Sequence, residues 1–288
     1  MTWRLGTRGS ALARAQSSLV AQAVERVTGT PVELVIVSTR GDRVTDRPLA
    51  EVGGKGLFTM ELEAGLREGT LDFAVHSMKD LPTDDAEGLV IGAVPEREDP
   101  RDALVGARLA DLGPGAVVGT GSARRKCQLL AVRPDLTVRG IRGNVDTRIG
   151  KQRSGAYDAV VLAMAGLVRL GLTDAVGEVL GCASMVPAPG QGALAVQCRG
   201  DREEVLQALR HIHHPPSARR VAVERAFLHE LSGGCSVPAG CHAKWVGERL
   251  RVQAILGTDG GVRRHEAEGP PEEAEAMGRA AARAVRGV

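Results

Sequence analysis

The chain has 288 residues, a length that predicts about two domains. Its apolar content of 43% and charged content of 25% are typical of folded globular proteins and exclude wholesale disorder. A net charge of only +2 and an aromatic content of 2% argue against binding of nucleic acid through a basic surface or through stacked bases.

Strand and helix patterns alternate through the first two thirds of the chain, which predicts βαβ units and a largely parallel sheet. Ser10 is a good N-cap for a helix whose apolar stripe ends at Gly29. Val32–Ser38 is a β-branched run that is typical of a buried strand. The remaining predicted elements are strands at Trp3–Gly6, Leu71–Val75 and Leu89–Val94 and a helix at Leu57–Glu68.

A charged segment with two prolines, Pro95–Val105, indicates a crossing into a second domain. Strands are predicted there at Ala116–Gly119, Leu136–Arg139 and Ala159–Ala163, with helices at Ser122–Val132 and Val145–Gln152. The segment GALAVQC is predicted to be a strand that returns to the first sheet. A small α+β domain follows, with helices at Ser217–Leu231 and Glu272–Val285 and alternating segments at Ala243–Val246 and Arg249–Leu256. The predicted domains are residues 1–94 with 191–211, residues 95–190, and residues 215–288.

Two segments of the chain resemble each other. Residues 5–14 are LGTRGSALAR and residues 118–126 are VGTGSARRK, and each pattern predicts a strand, a Gly-Thr turn, a Ser cap and a helix. Two such helix N-termini could bind anions in one cleft. Gly and Ser also simply make good strand-to-helix turns, so the pattern leaves both interpretations open.

Arginines cluster at predicted strand-to-helix turns. Arg124 and Arg125 fall in the first turn of a helix, where each cation opposes the helix dipole by roughly 0.3–1 kcal/mol. Arg139, Arg142 and Arg148 lie beside the next such turn. Because arginine binds carboxylates and phosphates in a bidentate manner, the placement favours a cleft lined for a ligand with several carboxylates. A solvated basic face is the alternative.

The loop HSMKDLP follows an apolar strand, and open α/β sheets place ligands at such positions. It contains His76, Lys79 and Asp80, which can move protons or pair charges, although a surface turn would have the same composition. The Gly-rich stretch at residues 53–56 lacks the P-loop pattern and is predicted to be a mobile loop over the cleft.

The five cysteines are odd in number and scattered, and no apolar run approaches ~18 residues, so we expect a reduced, cytoplasmic protein. Cys235 follows Gly233–Gly234 on a predicted tight turn. It could attach a covalent cofactor, act as a nucleophile, remain a buried structural thiol, or bind zinc with neighbouring residues. The zinc hypothesis uses His229, Cys241 and His242, whose spacing matches no common pattern. HIHH at residues 211–214 is interpreted as a polar hinge.

A series of short motifs runs along nearly the whole chain. They are GTRGSALA, VSTRGD, VGGKGLF, AVHSMKDLP, EREDPRDA, GTGSARRKCQL, RGNVDTR, PAPGQGA, ERAFL and GGCSVP. Together, and in this order, they resemble the porphobilinogen deaminase family, also called hydroxymethylbilane synthase. The resemblance implies an α/β fold with two periplasmic-binding-protein-like α/β domains flanking a cleft, plus a small α+β C-terminal domain.

The resemblance also implies the reaction. The family's enzymes are transferases that join four porphobilinogen molecules head to tail, with loss of ammonia, into hydroxymethylbilane for tetrapyrrole synthesis. The cofactor would be dipyrromethane, attached as a thioether to Cys235. No metal, nucleic acid or membrane partner is implied. We expect a monomer, and hand-over of the product to the next pathway enzyme stays open.

The family's site residues fall on named positions of this chain. Asp80 would be the catalytic carboxylate. The cofactor would be held by Cys235, Lys79, Ser122, Arg124, Arg125 and Arg148, and the substrate by Arg8, Ser10, Lys55, Arg142 and Arg169. The sequence departs from the family at Glu51, where a lysine is common, and at Gly121, where a serine is common. Two other classes remain as alternatives: a two-lobed binding module for a polycarboxylate, and a zinc-dependent protein.

Overall fold

The computed structural model describes residues 2–39, 41, 56–57, 59–84, 86–231 and 237–288. Its chain divides into two compact units. The first unit comprises Met1–Glu98 and Ala193–Ala218, and the second comprises Asp99–Gly192 and Arg219–Val288. Three sheets are present in the described residues, and one of them lies in each predicted domain. The division into three domains with their exact boundaries stays a prediction.

The strands are β1 (Trp3–Arg8), β2 (Val32–Val37), β3 (Phe73–Ser77), β4 (Leu89–Ala93), β5 (Asp102–Val105), β6 (Val117–Gly119), β7 (Thr137–Arg139), β8 (Ala159–Ala163), β9 (Val176–Leu180), β10 (Leu194–Arg199), β11 (Ala239–Val246), β12 (Arg249–Thr258) and β13 (Gly261–Gly269). The α-helices are α1 (Ala11–Thr28), α2 (Met60–Arg67), α3 (Ala123–Val132), α4 (Val145–Arg153), α5 (Met164–Arg169), α6 (Glu203–Arg210), α7 (Pro215–Glu230) and α8 (Ala274–Arg286). Among these described helices, none combines the length and apolarity that crossing a membrane requires.

The sheet of the first unit has the strand order β2-β1-β3-β10-β4. β1 is parallel to β2 and β3, whereas β10 is antiparallel to β3 and β4, so the sheet is mixed rather than wholly parallel. The predicted return of the GALAVQC strand to this sheet is confirmed. The prediction of a buried strand at Val32–Ser38 is wrong, because β2 lies at the sheet edge and Ile36 is 59% exposed.

The first sheet of the second unit has the order β7-β6-β8-β5-β9. β6 is parallel to β7 and β8, and β5 is antiparallel to β8 and β9. The fourth strand is thus the antiparallel one in both five-stranded sheets, and in each it is the strand with which the chain enters from the other unit. The predicted crossing at Pro95–Val105 therefore ends in a strand, β5. Sequence patterns missed β9, β13, α5 and α6.

The third sheet is the antiparallel meander β11-β12-β13. Its buried face packs against α7 and α8 around Phe227, Leu250 and Ala281. The two helices approach closely at Gly278, where an added Cβ would overlap the carbonyl oxygen of Val223. A side chain larger than hydrogen cannot fit there without separating the helices. The predicted small α+β domain is confirmed.

Gly278→Ala is expected to destabilise the second unit by about 1–3 kcal/mol, because the methyl group meets a backbone atom that cannot turn away. The matched control is Gly150→Ala in α4, where nothing lies within 4 Å of an added Cβ. That change should be neutral or stabilise by up to about 1 kcal/mol through helix propensity. Chemical denaturation of both variants measures the difference. Equal stabilities would contradict the close approach of α7 and α8.

Candidate active site

The carboxyl ends of β1 and β3 meet at one edge of the first sheet, because the two strands are parallel neighbours. β1 ends at Arg8, and the Oγ atom of Ser10 then accepts a hydrogen bond from the Ala13 backbone N–H at 3.2 Å, which caps α1. β3 is followed by a 3₁₀ turn, Met78–Asp80, in which Lys79 is half-buried and Asp80 is exposed. Four predicted site residues therefore lie at this edge.

Buried polar contacts hold the end of β3. The Nε2 atom of His76 lies 3.1 Å from Oε1 of Gln197, and Oγ of Ser77 exchanges hydrogen bonds with the side-chain amide of Gln16 at 3.1 and 3.2 Å. Burial, opposed by the Gln197 hydrogen bond and assisted by the charge of Arg8, lowers the pKa of His76 to about 4. His76 is therefore neutral at pH 7. It supports the turn that carries Asp80 rather than acting as an exposed proton carrier.

The second unit has a corresponding edge at the carboxyl ends of β6, β7 and β8, which are parallel. Oγ of Ser122 accepts from the Arg125 backbone N–H at 3.4 Å and caps α3, as Ser10 caps α1. The sequence similarity between the two segments thus corresponds to the same local structure. In each sheet the strand before this cap, β1 or β6, occupies the second position.

Three other predicted arginines belong to this unit. Arg142 follows β7 and is half-buried. Nε of Arg148, in α4, donates to the Gly143 carbonyl oxygen at 2.7 Å. Nη2 of Arg169, at the end of α5, donates to the Gly192 carbonyl oxygen at 2.7 Å. These bonds orient the guanidinium groups, and their role toward a ligand stays a prediction.

Arg124 and Arg125 contact a buried carboxylate within the protein. Nη1 of Arg124 donates to Oδ2 of Asp102 at 2.7 Å, and Nη2 of Arg125 donates to Oδ1 at 2.7 Å. The side chain of Asp102 is fully buried, and those of the two arginines are 5% and 8% exposed. Burial alone would raise the pKa of Asp102, but the two guanidinium groups hold that pKa well below its usual range. Asp102 is therefore ionised.

Gln191 completes this cluster. Its Nε2 atom donates to Oδ1 of Asp102 and to the Pro100 carbonyl oxygen, both at 2.8 Å. The sequence predicts that Arg124 and Arg125 face a ligand, and it does not single out Asp102 or Gln191. Both of these residues lie in motifs that carry the resemblance, EREDPRDA and PAPGQGA, but the local patterns of these segments indicate only a crossing and a chain break.

Lys55, Glu51 and Cys235 lie outside the described residues, so their predicted roles stay predictions. Cys241 is described and is fully buried in the core of the third sheet, as expected for a thiol on a strand face. His242 is its neighbour on β11, and successive side chains of a strand point to opposite faces. Cys241 and His242 therefore cannot bind one zinc ion together in this strand, which argues against the zinc hypothesis.

Two mixed β-sheets with helices and with charged side chains at their carboxyl edges are typical of ligand-binding α/β proteins. Comparison with models of protein families assigns the chain to a family. The model described as "Porphobilinogen deaminase, dipyromethane cofactor binding domain" matches residues 3–207, and "Porphobilinogen deaminase, C-terminal domain" matches residues 218–286. The chain belongs to the porphobilinogen deaminase family, and the resemblance in the motifs is confirmed.

Curated relatives agree over most of the chain. A porphobilinogen deaminase of Thermobifida fusca is 51% identical over 263 residues, which cover 89% of this chain and 82% of the relative. One of Geotalea uraniireducens is 46% identical over 282 residues, covering 96% and 89%. Among solved structures, a periplasmic substrate-binding protein of an ABC transporter from Coxiella burnetii is 14% identical with a TM-score of 0.45, covering 76% of this chain and 97% of that one.

The neutral state of His76 predicts a pH dependence of stability. The unfolded chain takes up a proton on this residue as the pH falls below about 6.5, whereas the folded protein does so only near pH 4. The stabilisation is therefore complete above pH 6.5 and is lost as the pH falls toward 4, by about 3 kcal/mol at most.

His76→Gln should flatten the dependence of the free energy of unfolding on pH between 6.5 and 4. Trp3 packs edge-to-face on Phe73 at 6.2 Å and reports on the first unit by fluorescence once Trp245→Phe removes the other tryptophan. His211→Gln, at an exposed position, is the control and should keep the wild-type slope. An unchanged slope in His76→Gln would contradict a buried neutral imidazole.

Proposed function

We propose that Asp80 is the catalytic carboxylate and Cys235 the cofactor-bearing thiol of this chain's reaction. As a member of its family, the chain is a transferase that joins four porphobilinogen molecules into hydroxymethylbilane in tetrapyrrole biosynthesis. The observation that carries the Asp80 assignment is its position: it is exposed on a turn at the carboxyl edge of the sheet, and that turn follows a strand end held by buried contacts. A reactive group needs both access and a fixed support.

The chemistry at this position requires a carboxylate. When ammonia leaves the aminomethyl group of the substrate, the C–N bond breaks and the nitrogen takes the electron pair, which leaves a cation delocalised over the pyrrole. A carboxylate that accepts a hydrogen bond from the pyrrole N–H stabilises this cation. The α-carbon of a second pyrrole then forms the new C–C bond and loses its proton to a base. We assign to Asp80 both the stabilisation and the proton transfer.

The charges around Asp102 bear on whether the chain can hold the family's cofactor. Two buried guanidinium groups share one buried carboxylate, so the cluster has a net positive charge. Buried charges require compensation, and the carboxylates on the pyrroles of dipyrromethane are suitable anions. The residues therefore fit the cofactor. When bound, dipyrromethane supplies the nucleophilic pyrrole carbon from which the chain of substrate units grows.

We assign the remaining residues to carboxylate binding at the two edges. Lys79, Ser122, Arg124, Arg125 and Arg148 would hold the cofactor, and Arg8, Ser10, Lys55, Arg142 and Arg169 would hold substrate units. The support is the position of the described members other than Arg169 at or next to the carboxyl edges of the sheets, together with the number of carboxylates that a growing pyrrole chain carries. We also propose that the protein acts in the cytoplasm as a monomer and passes its product to the next enzyme of the pathway.

Asp80→Asn is expected to lower turnover by about 10²–10⁴-fold, because the amide can neither balance the cation nor take up the proton. The measurement is the rate of hydroxymethylbilane formation per cofactor-bearing molecule. Asp84→Asn, at an exposed position four residues along the same loop, is the control and should retain wild-type turnover. Turnover within threefold of wild type in folded Asp80→Asn would overturn the assignment.

Cys235→Ser is expected to abolish activity and to remove the added mass of two substrate units less two ammonia molecules, because a serine cannot form the thioether. Intact-mass spectrometry measures the loss, and peptide mapping locates the modified residue. Cys241→Ala, in the buried core position, should keep the added mass and most of the activity. A cofactor-bearing peptide that contains Cys241 would refute the attachment site. Wild-type protein without the added mass would instead favour the polycarboxylate-binding module.

A further inference from the structure

The guanidinium groups of Arg124 and Arg125 are fixed by contacts within the second unit. Besides its bond to Asp102, Nη1 of Arg124 donates to the Val186 carbonyl oxygen at 2.7 Å. Nε of Arg125 donates to Asp102 at 3.0 Å, and its Nη1 donates to the Val161 carbonyl oxygen at 2.9 Å. Neither side chain can therefore rotate without breaking bonds to a buried carboxylate and to the backbone.

Some N–H groups of Arg124 donate no hydrogen bond within the described part of the chain. A guanidinium group has five N–H bonds, and the bonds of Arg124 use only its Nη1 atom. Within the described part of the chain, no acceptor receives a hydrogen bond from Nε or Nη2 of Arg124. The fixed orientation of Nη1 also fixes the direction of these two atoms, because the guanidinium group is planar.

The charge of the cluster is also unbalanced. A single Arg–Asp pair would be neutral, but here two cations face one anion that is fully buried. Both cations lie in the first turn of α3, where the helix dipole adds to their cost. One arginine would already neutralise the carboxylate, so the second adds a charge that no anion of the cluster balances. The excess charge and the remaining donors both indicate an anionic ligand.

We propose that Asp102 is a positioning residue for the cofactor: it holds Arg124 and Arg125 in one orientation before the cofactor binds, so that their remaining N–H groups receive its carboxylates. The inference rests on the proposed function. Such preorganisation reduces the loss of conformational entropy on binding, because the two side chains are already ordered before the cofactor arrives. Gln191 assists, because its side-chain amide donates to the same carboxylate and limits the rotation of Asp102.

The alternative is that Asp102 is only a structural brace, and the two roles differ in one measurable quantity. A ligand held by the folded protein raises its melting temperature. If Asp102 is only a brace, its substitution lowers the melting temperature equally with and without cofactor. If Asp102 is a positioning residue, its substitution reduces the increase in melting temperature that the cofactor produces, since that increase depends on the contacts that the arginines make with the cofactor.

The experiment measures the difference in Tm between cofactor-loaded protein and the cofactor-free Cys235→Ser form. It does so for the wild type, Asp102→Asn, the Arg124→Gln/Arg125→Gln double variant and the triple variant that combines all three changes, and intact-mass spectrometry confirms loading in each. We expect Asp102→Asn and the double variant each to reduce the cofactor-dependent difference at least twofold. The triple variant should show no reduction beyond that of the double variant, because Asp102 acts through the two arginines. Asp135→Asn changes an Arg–Asp pair at the surface of the same unit and should keep the wild-type difference.

A wild-type difference in loaded Asp102→Asn would overturn the proposal, as would a reduction in the triple variant that adds to that of the double variant. If Asp102→Asn leaves two uncompensated cations and does not fold, the comparison of the double variant with the triple variant decides, since the triple variant removes both cations and the anion together. A further twofold loss there would contradict the proposal. Wild-type protein without any cofactor mass would instead refute the proposed function, which separates the two failures.

Discussion

A buried carboxylate that accepts hydrogen bonds from two arginines determines the local structure of the second unit's candidate site. Asp102 stands at the first residue of β5, Arg124 and Arg125 begin α3, and Gln191 comes from the turn before β10. Breaking one member of such a buried pair typically costs about 3–5 kcal/mol, so these three segments are held to one another. The arrangement of β5 as an antiparallel fourth strand places its first residue beside the end of β8, opposite Ala163. The topology of the sheet therefore brings the anion to the edge at which the arginine helix starts.

At the carboxyl edge of each five-stranded sheet, a buried side chain supports the predicted site residues, but the charges at the two edges are opposite. In the first unit a neutral, buried His76 supports a turn that exposes a carboxylate, Asp80. In the second unit a buried, ionised Asp102 supports two arginines whose charge exceeds its own. A reaction that develops a cation on a substrate with several carboxylates needs both: an anion near the reacting atoms and cations that hold the side groups. The hypothesis assigns these two tasks to separate sheets.

Sequence patterns predict the elements whose signals are local. The caps at Ser10 and Ser122 can be found because a capping hydroxyl and the following helical stripe are adjacent in the chain. Periodicity does not predict the direction of β10, because pairing direction depends on partners more than 100 residues away. The prediction that β2 is buried is wrong because β-branched composition does not distinguish an edge strand from a central one.

The site can be predicted only in part. Motifs identify Asp80 as a candidate because it follows an apolar strand, and the structure places it at the edge of the sheet. The same motifs give no indication that the partner of Arg124 and Arg125 lies inside the protein, since Asp102 precedes them by more than 20 residues in a segment whose pattern indicates a crossing. Burial also changes the interpretation of His76, because an imidazole in a charged loop suggests proton transfer until its desolvation is known. Long-range contacts and burial are thus the missing information.

The most direct test is a crystal structure of the cofactor-loaded protein. We expect a thioether at Sγ of Cys235 and a cofactor carboxylate oxygen about 2.7–3.2 Å from a nitrogen of Arg124 or Arg125, with the hydrogen bonds from both arginines to Asp102 retained. A cofactor whose carboxylates lie beyond about 5 Å from both guanidinium groups would contradict this expectation. So would a structure in which either arginine leaves Asp102 to reach the cofactor, because the carboxylate would then compete with the ligand instead of positioning its binding groups.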